Sequence, residues 1–201
     1  MTLYESFPDR IVVNGTEYRL TLYFDRVLRY LDLVRDSSVS AEDAAEVGYS
    51  WLVGSPKNVP PAVRSQVIQR IFEEIVRPPK RQLRKRKKTV RAVDFTIDAA
   101  EIYASFMRDY RIDLVEEQGQ MHWCRFIALF EGLSDDTPIK QIMRIRTEEL
   151  PTLNKHNAAQ IQRLTELKAL YALPQEAQSP EEQSDAWGGL FNVLLKKAEV
   201  N

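Results

Sequence analysis

The sequence is poor in the residues from which reactive sites are usually built. One cysteine, Cys124, and two histidines, His122 and His156, occur in 201 residues. A single cysteine rules out an internal disulfide and any cysteine-rich zinc site. Cys124 lies in an apolar segment, which points to a small core residue rather than a nucleophile. The histidines lie far apart, and neither has a second His, Cys or carboxylate at ligand spacing. His122, just before Trp123, reads as a helix-start or core-edge residue. Only seven glycines are present, and the pair Gly188-Gly189 follows no strand and precedes no Lys-Ser/Thr, so no phosphate loop is formed. No G-x-S-x-G elbow occurs. The paired carboxylates Asp135-Asp136 and Glu148-Glu149 fall near expected helix ends, where Asp at an N-terminus complements the helix dipole. Neither catalysis nor a cofactor is therefore expected. No run approaches the roughly 18 uncharged apolar residues of a membrane span. The start, MTLYESFPDR, lacks the basic and apolar regions of a signal peptide. A soluble intracellular protein is the expectation.

What is present is charge in one place and apolar periodicity in many. The formal net charge is −1, yet residues 77–91, RPPKRQLRKRKKTVR, hold nine cations and no acid: Arg77, Lys80, Arg81, Arg84, Lys85, Arg86, Lys87, Lys88 and Arg91. Every other part of the chain is acidic. Such a run meets an acidic partner or lies over the protein's own acidic surface. Nucleic-acid binding favours aromatics interleaved with the cations. The run has none, and no helix-turn-helix flanks it. A solvated linker, or a clamp on acidic protein surface, is the preferred reading.

Ile11 to Leu20 read as a hairpin, with Asn14-Gly15 supplying the positive φ of a type I′ turn. Phe24, Val27, Leu28, Leu31 and Val34 recur at helical steps. Ser40 opens a second helix, with Asp43 placed for a capping box, that ends near Gly54. Pro60-Pro61 open a third, lined by Val63, Val67, Ile68, Ile71, Phe72 and Ile75 and stopped by Pro78-Pro79. Helical spacing resumes with Ala99, Ile102, Tyr103, Phe106 and Tyr110, and breaks at Gln118-Gly119. Trp123, Phe126, Ile127 and Phe130 then mark a helix C-capped by Gly132. Thr137-Pro138 start another, with Ile139, Ile142 and Met143 inward, closed by Pro151. A last core helix spans about 157–173, with Ile161, Leu164, Leu167, Leu170 and Tyr171 as its stripe.

The expected fold is mainly α: a small N-terminal β-hairpin packed on helices, then a helical, bundle-like second half. In linear order this gives an N-terminal unit over 1–76, a basic linker over 77–92, a helical domain over 93–173 and a tail over 174–201. The tail begins with a polar, breaker-rich spacer, PQEAQSPEEQSD. It ends in Trp187, Leu190, Phe191, Leu194 and Leu195 at i, i+3, i+4, i+7 and i+8, a short amphipathic helix on a tether. Such a helix either folds back on its own domain or lies in the groove of another protein.

From Val93 to Leu173 the chain resembles the bacteriophage gene-product-fifteen family. The resemblance rests on VDFTIDAAEIYASFMRDYRIDL, MHWCRFIALFEGLSDDTPIKQIMRIRT and LKALYAL. It extends more loosely to IVVNGTEYRLTLYFDRVLRYLDL. Cys124 departs from the family, which often has a second Trp there. The resemblance implies a part in building a non-contractile phage tail in the cytoplasm of the infected bacterium. Members are usually encoded just before the tape-measure protein, the place of tail assembly chaperones. Implied partners are the tape-measure and other tail proteins; the amphipathic tail, which lies outside the resemblance, gives Trp187, Leu190, Phe191 and Leu194 as the expected contacts. Self-association stays open, and nucleic acid is the less favoured partner. Two alternatives stand beside this reading: a nucleic-acid-binding or regulatory protein using 77–91, and a structural component of the virion tail or head–tail junction.

Overall fold

Asn14 (φ 51°) and Gly15 (φ 76°) both take the left-handed region, closing a two-residue hairpin. Strand β1 (Arg10–Val13) pairs antiparallel with β2 (Thr16–Leu20) in the register Ile11 to Tyr18 and Val13 to Thr16. This puts Ile11, Val13, Tyr18 and Leu20 on one buried face. The computed structural model describes residues 4–56, 58–76 and 91–174. It is mainly α, with seven helices and one three-stranded sheet among those residues.

Helix α1 (Phe24–Arg35) buries Phe24, Val27, Tyr30, Leu31 and Val34, nearly the expected stripe. Helix α2 (Ala41–Leu52) starts at Ser40, whose hydroxyl accepts the Asp43 N–H at 3.1 Å and donates to the Asp43 carboxylate at 2.6 Å. The end expected near Gly54 comes at Leu52, because Val53–Ser55 form a strand, β3, pairing with β2. Three residues are too short for an alternating pattern to register in sequence. The Tyr30 ring packs against α2 at Gly48, where a Cβ would fall 2.4 Å from it. Only glycine fits this approach.

Helix α3 (Pro61–Ile71) begins with Pro61 in its first turn and buries Val67, Ile68 and Ile71. It passes into a π turn over Phe72–Val76. This wider turn buries Val76 and leaves Ile75 half-exposed, where an uninterrupted stripe had suggested Ile75 inward. The stop expected at Pro78-Pro79 lies outside the described residues.

Two units divide the described chain. The first takes the residues up to 76 and also 115–132; the second takes 91–114 and 133–174. The linear scheme, with 93–173 as one helical domain, differs in the placing of 115–132. Helix α5 (Trp123–Glu131) belongs to the first unit. Its entry is tied there by backbone bonds from Phe24 N–H to the Met121 carbonyl (3.0 Å) and from Trp123 N–H to the Leu22 carbonyl (2.7 Å). Asp25 accepts the Gly119 N–H at 2.9 Å. Phe126 then stacks on Phe24 with ring centres 4.9 Å apart, and Trp123 and Phe130 extend the cluster. Gly132 does cap α5, with a right-handed φ of −80° that any residue could adopt.

In the second unit, α4 (Ala99–Tyr110) buries Ile102, Ser105 and Phe106; Ala99 is exposed and Tyr103 and Tyr110 half-buried. Helix α6 (Pro138–Thr147) starts at Thr137 and buries Ile139, Ile142 and Arg146, with Met143 only half-buried. It ends at Thr147, before the expected stop at Pro151. Helix α7 (Ala158–Leu170) buries Leu164 alone; Ile161, Leu167 and Tyr171 are half-buried and Leu170 is 71% exposed. The reason is geometric. Apolar residues at a strict spacing of three rotate about 60° around the helix at each step, so the stripe winds off the packed face by its end.

Candidate functional site

Among the described residues no group of three or more His, Cys, Asp or Glu side chains could hold a metal ion, and no helix is long and apolar enough to cross a membrane. The titratable groups singled out in sequence have structural duties. His122 is the N-cap of α5: its Nδ1 accepts the Cys124 N–H at 3.1 Å. An accepting Nδ1 leaves the proton on Nε2, which donates to the Pro8 carbonyl at 3.2 Å. Phe7 stacks on the ring at 5.1 Å. Burial holds the His122 pKa below the ordinary 6.5, against the opposing pull of the Pro8 carbonyl and Asp9. Burial likewise raises the Cys124 thiol, keeping it protonated. His156 is exposed, and its N–H is bound by the Asn154 side chain. Asp136 takes the Arg108 guanidinium.

The neutral His122 has a consequence in pH. The unfolded chain takes up a proton near the ordinary imidazole value, before the folded chain does. Stability therefore falls as pH drops below about 6.5, until the lower folded value is passed. His122→Asn keeps a capping acceptor but cannot titrate. Urea unfolding from about pH 7.5 to about 5.5 should show a steeper loss for the native chain than for this variant. Parallel curves would mean that the imidazole is not held neutral.

The dominant electrostatic feature is a buried clip in the second unit. Arg146 meets Asp98 through two bonds, 2.6 and 2.7 Å, with both side chains buried. Its remaining donors reach the Ala92 carbonyl at 3.0 Å and the Tyr171 carbonyl at 2.7 Å. Asp98 also accepts the Asp94 N–H at 2.8 Å. Asp94 in turn caps the following turn through Thr96 and Ile97 N–H (2.8 and 2.9 Å) and pairs with Arg91. One guanidinium thus joins the entry to α4, the last turn of α6 and the end of α7. This position was missed in sequence, although it falls in register with Ile139 and Ile142 on the inward stripe.

What the second unit offers outward is the arm following α6. Leu150 (49% exposed), Leu153 (76%) and Leu170 show large apolar side chains to solvent. The expected contacts Trp187, Leu190, Phe191 and Leu194 lie outside the described residues, as does the basic run from Arg77 to Lys88. Its last member, Arg91, is described: half-buried and paired with Asp94, it is not part of a solvated cationic face.

These features describe a small helical protein whose surface shows apolar side chains. Comparison gives the class: residues 3–173 match the family described as Bacteriophage Gp15 protein. The chain belongs to that bacteriophage family, which spans both units. No curated protein and no solved structure matches it.

Proposed function

We propose that this phage protein is a tail assembly factor that acts by binding rather than catalysis, holding the tape-measure protein until the tail tube polymerises around it. The supporting observation is the exposed leucine arm, Leu150, Leu153 and Leu170, in a member of this family. Tape-measure chains are long amphipathic helices, and an apolar stripe of that kind is covered by helix-in-groove contact. Trp187, Leu190, Phe191 and Leu194 supply a second set of contacts. The setting is the cytoplasm of the infected bacterium, and a chaperone of this kind leaves before the virion is complete.

Co-expression with the tape-measure protein of the same genome should raise that protein's soluble yield several-fold and bring the two through purification together. Leu153→Asp with Leu170→Asp should weaken the pairing, since both side chains are exposed and neither supports the core. Absence of co-purification would remove the reading. Detection of the protein in purified virions would favour a structural tail component instead.

A further inference from the structure

The outer edge of the N-terminal sheet carries a bonding pattern that complements itself. In the order β1-β2-β3, β1 is an edge strand. The two-residue turn makes Val13 and Thr16 a hydrogen-bonded pair, so Ile11 and Val13 turn their N–H and C=O toward β2. Asp9 follows the same alternation, its carbonyl accepting the Leu20 N–H at 2.7 Å. Arg10 and Val12 therefore aim their backbone groups outward, and among the described residues no bond reaches those groups. The edge is bounded at both ends. Pro8, the next outward position, has no N–H, and its carbonyl is taken by His122 at 3.2 Å. Asn14, the next in the other direction, sits in the left-handed turn. Charge does not guard this edge in the usual way, by a cation held out over it. Arg10 is turned back on its own chain, 3.0 Å from Glu17 and 3.7 Å from Asp9. Beside it Val12 shows an apolar side chain, 57% exposed.

We infer that two copies of the chain join edge to edge through β1, antiparallel, about a two-fold axis at Ile11. Arg10 of each copy lies opposite Val12 of the other, which makes four N–H···O bonds and turns two three-stranded sheets into one of six strands. Ile11 then meets its counterpart on the buried face. The neighbouring registers fail. One sets Arg10 against Arg10 and calls on the N–H that Pro8 lacks; the other sets Val12 against Val12 and needs Asn14 extended. Since both copies use the same patch, the pairing closes as a dimer and does not propagate. The inference is independent of the tape-measure reading, because a helix has no backbone groups to spare for a sheet edge.

Sedimentation of the full chain at about 2 and about 200 μM, with amide exchange followed residue by residue, tests it. The mass should rise from monomer toward dimer. The Arg10 and Val12 amides should slow at least roughly tenfold at the higher concentration, while those of Ile11 and Val13, bonded to β2, stay protected at both. Val12→Pro removes an outward N–H and no bond of the hairpin. Val12→Lys keeps that N–H, gains Glu17 as its cross-strand neighbour and sets a cation opposite Arg10 of the other copy. Each should hold the chain monomeric at the higher concentration and restore fast exchange at Arg10; the second decides if the first does not fold. A monomer at both concentrations overturns the proposal. So does a dimer that survives Val12→Lys, which would place the contact elsewhere, and slow exchange at Arg10 and Val12 that ignores concentration, which would mean that the chain covers its own edge.

Discussion

Arg146→Met should destabilise the second unit by about 3–5 kcal/mol, the cost of stranding one member of a buried ion pair. The variant leaves the Asp98 carboxylate buried beside one backbone N–H and takes donors from the Ala92 and Tyr171 carbonyls. Asp98→Leu should cost a similar amount by leaving the guanidinium unpaired. A buried pair is weak evidence for net stabilisation, because desolvation offsets most of the attraction. The double variant Asp98→Leu with Arg146→Met should therefore be less damaging than the two singles added together, by about 1–3 kcal/mol. Hydrogen exchange separates this from a general loss of stability. Amides in 92–98, 138–147 and 158–171 should open, while those of α1 and α2 keep their native rates. Fully additive single effects would show that the carboxylate and guanidinium act apart from one another.

The residues that carry the resemblance hold the fold. Tyr103 gives its hydroxyl to Asp113 at 2.9 Å, His122 caps α5, Trp123 reaches a backbone carbonyl and Arg146 clips Asp98. That is why a family could be named from them while a site could not. Local signals were legible where one or two residues decide a backbone conformation: Asn14-Gly15, Ser40, Pro61 and Thr137-Pro138 each mark a boundary where the structure has one. Long-range choices were not. Nothing in the pattern of Trp123, Phe126 and Phe130 says which unit they will join; that is settled by Phe24 and the bonds to Leu22 and Asp25. Spacing by three overstated the burial of α7, and a charged side chain at an inward position of α6 went unmarked because its partner lies 48 residues away.

Trp123→Ala should be the most damaging single change in the first unit, at about 3–5 kcal/mol. The indole is 1% exposed, leans on Phe126 at 5.8 Å, and donates from Nε1 to the Val76 carbonyl at 3.1 Å. Those two roles can be separated. Trp123→Phe retains most of the apolar contact but removes the donor from a carbonyl at the end of the π turn, and should cost about 1–3 kcal/mol. Trp51→Ala serves as the reference, since that ring sits at the surface with 36% exposure and its loss should cost less than about 1 kcal/mol. Urea unfolding followed by circular dichroism ranks the three. The indole bond also predicts where the Phe variant loosens: exchange should rise in 72–76 ahead of α5, because the π turn loses the bond from Trp123 Nε1 to the Val76 carbonyl. If Trp123→Ala and Trp51→Ala proved equal, the aromatic cluster would not be the centre of the first unit. If Trp123→Phe matched Trp123→Ala, the hydrogen bond to Val76, rather than the packing, would be what α5 contributes to that core.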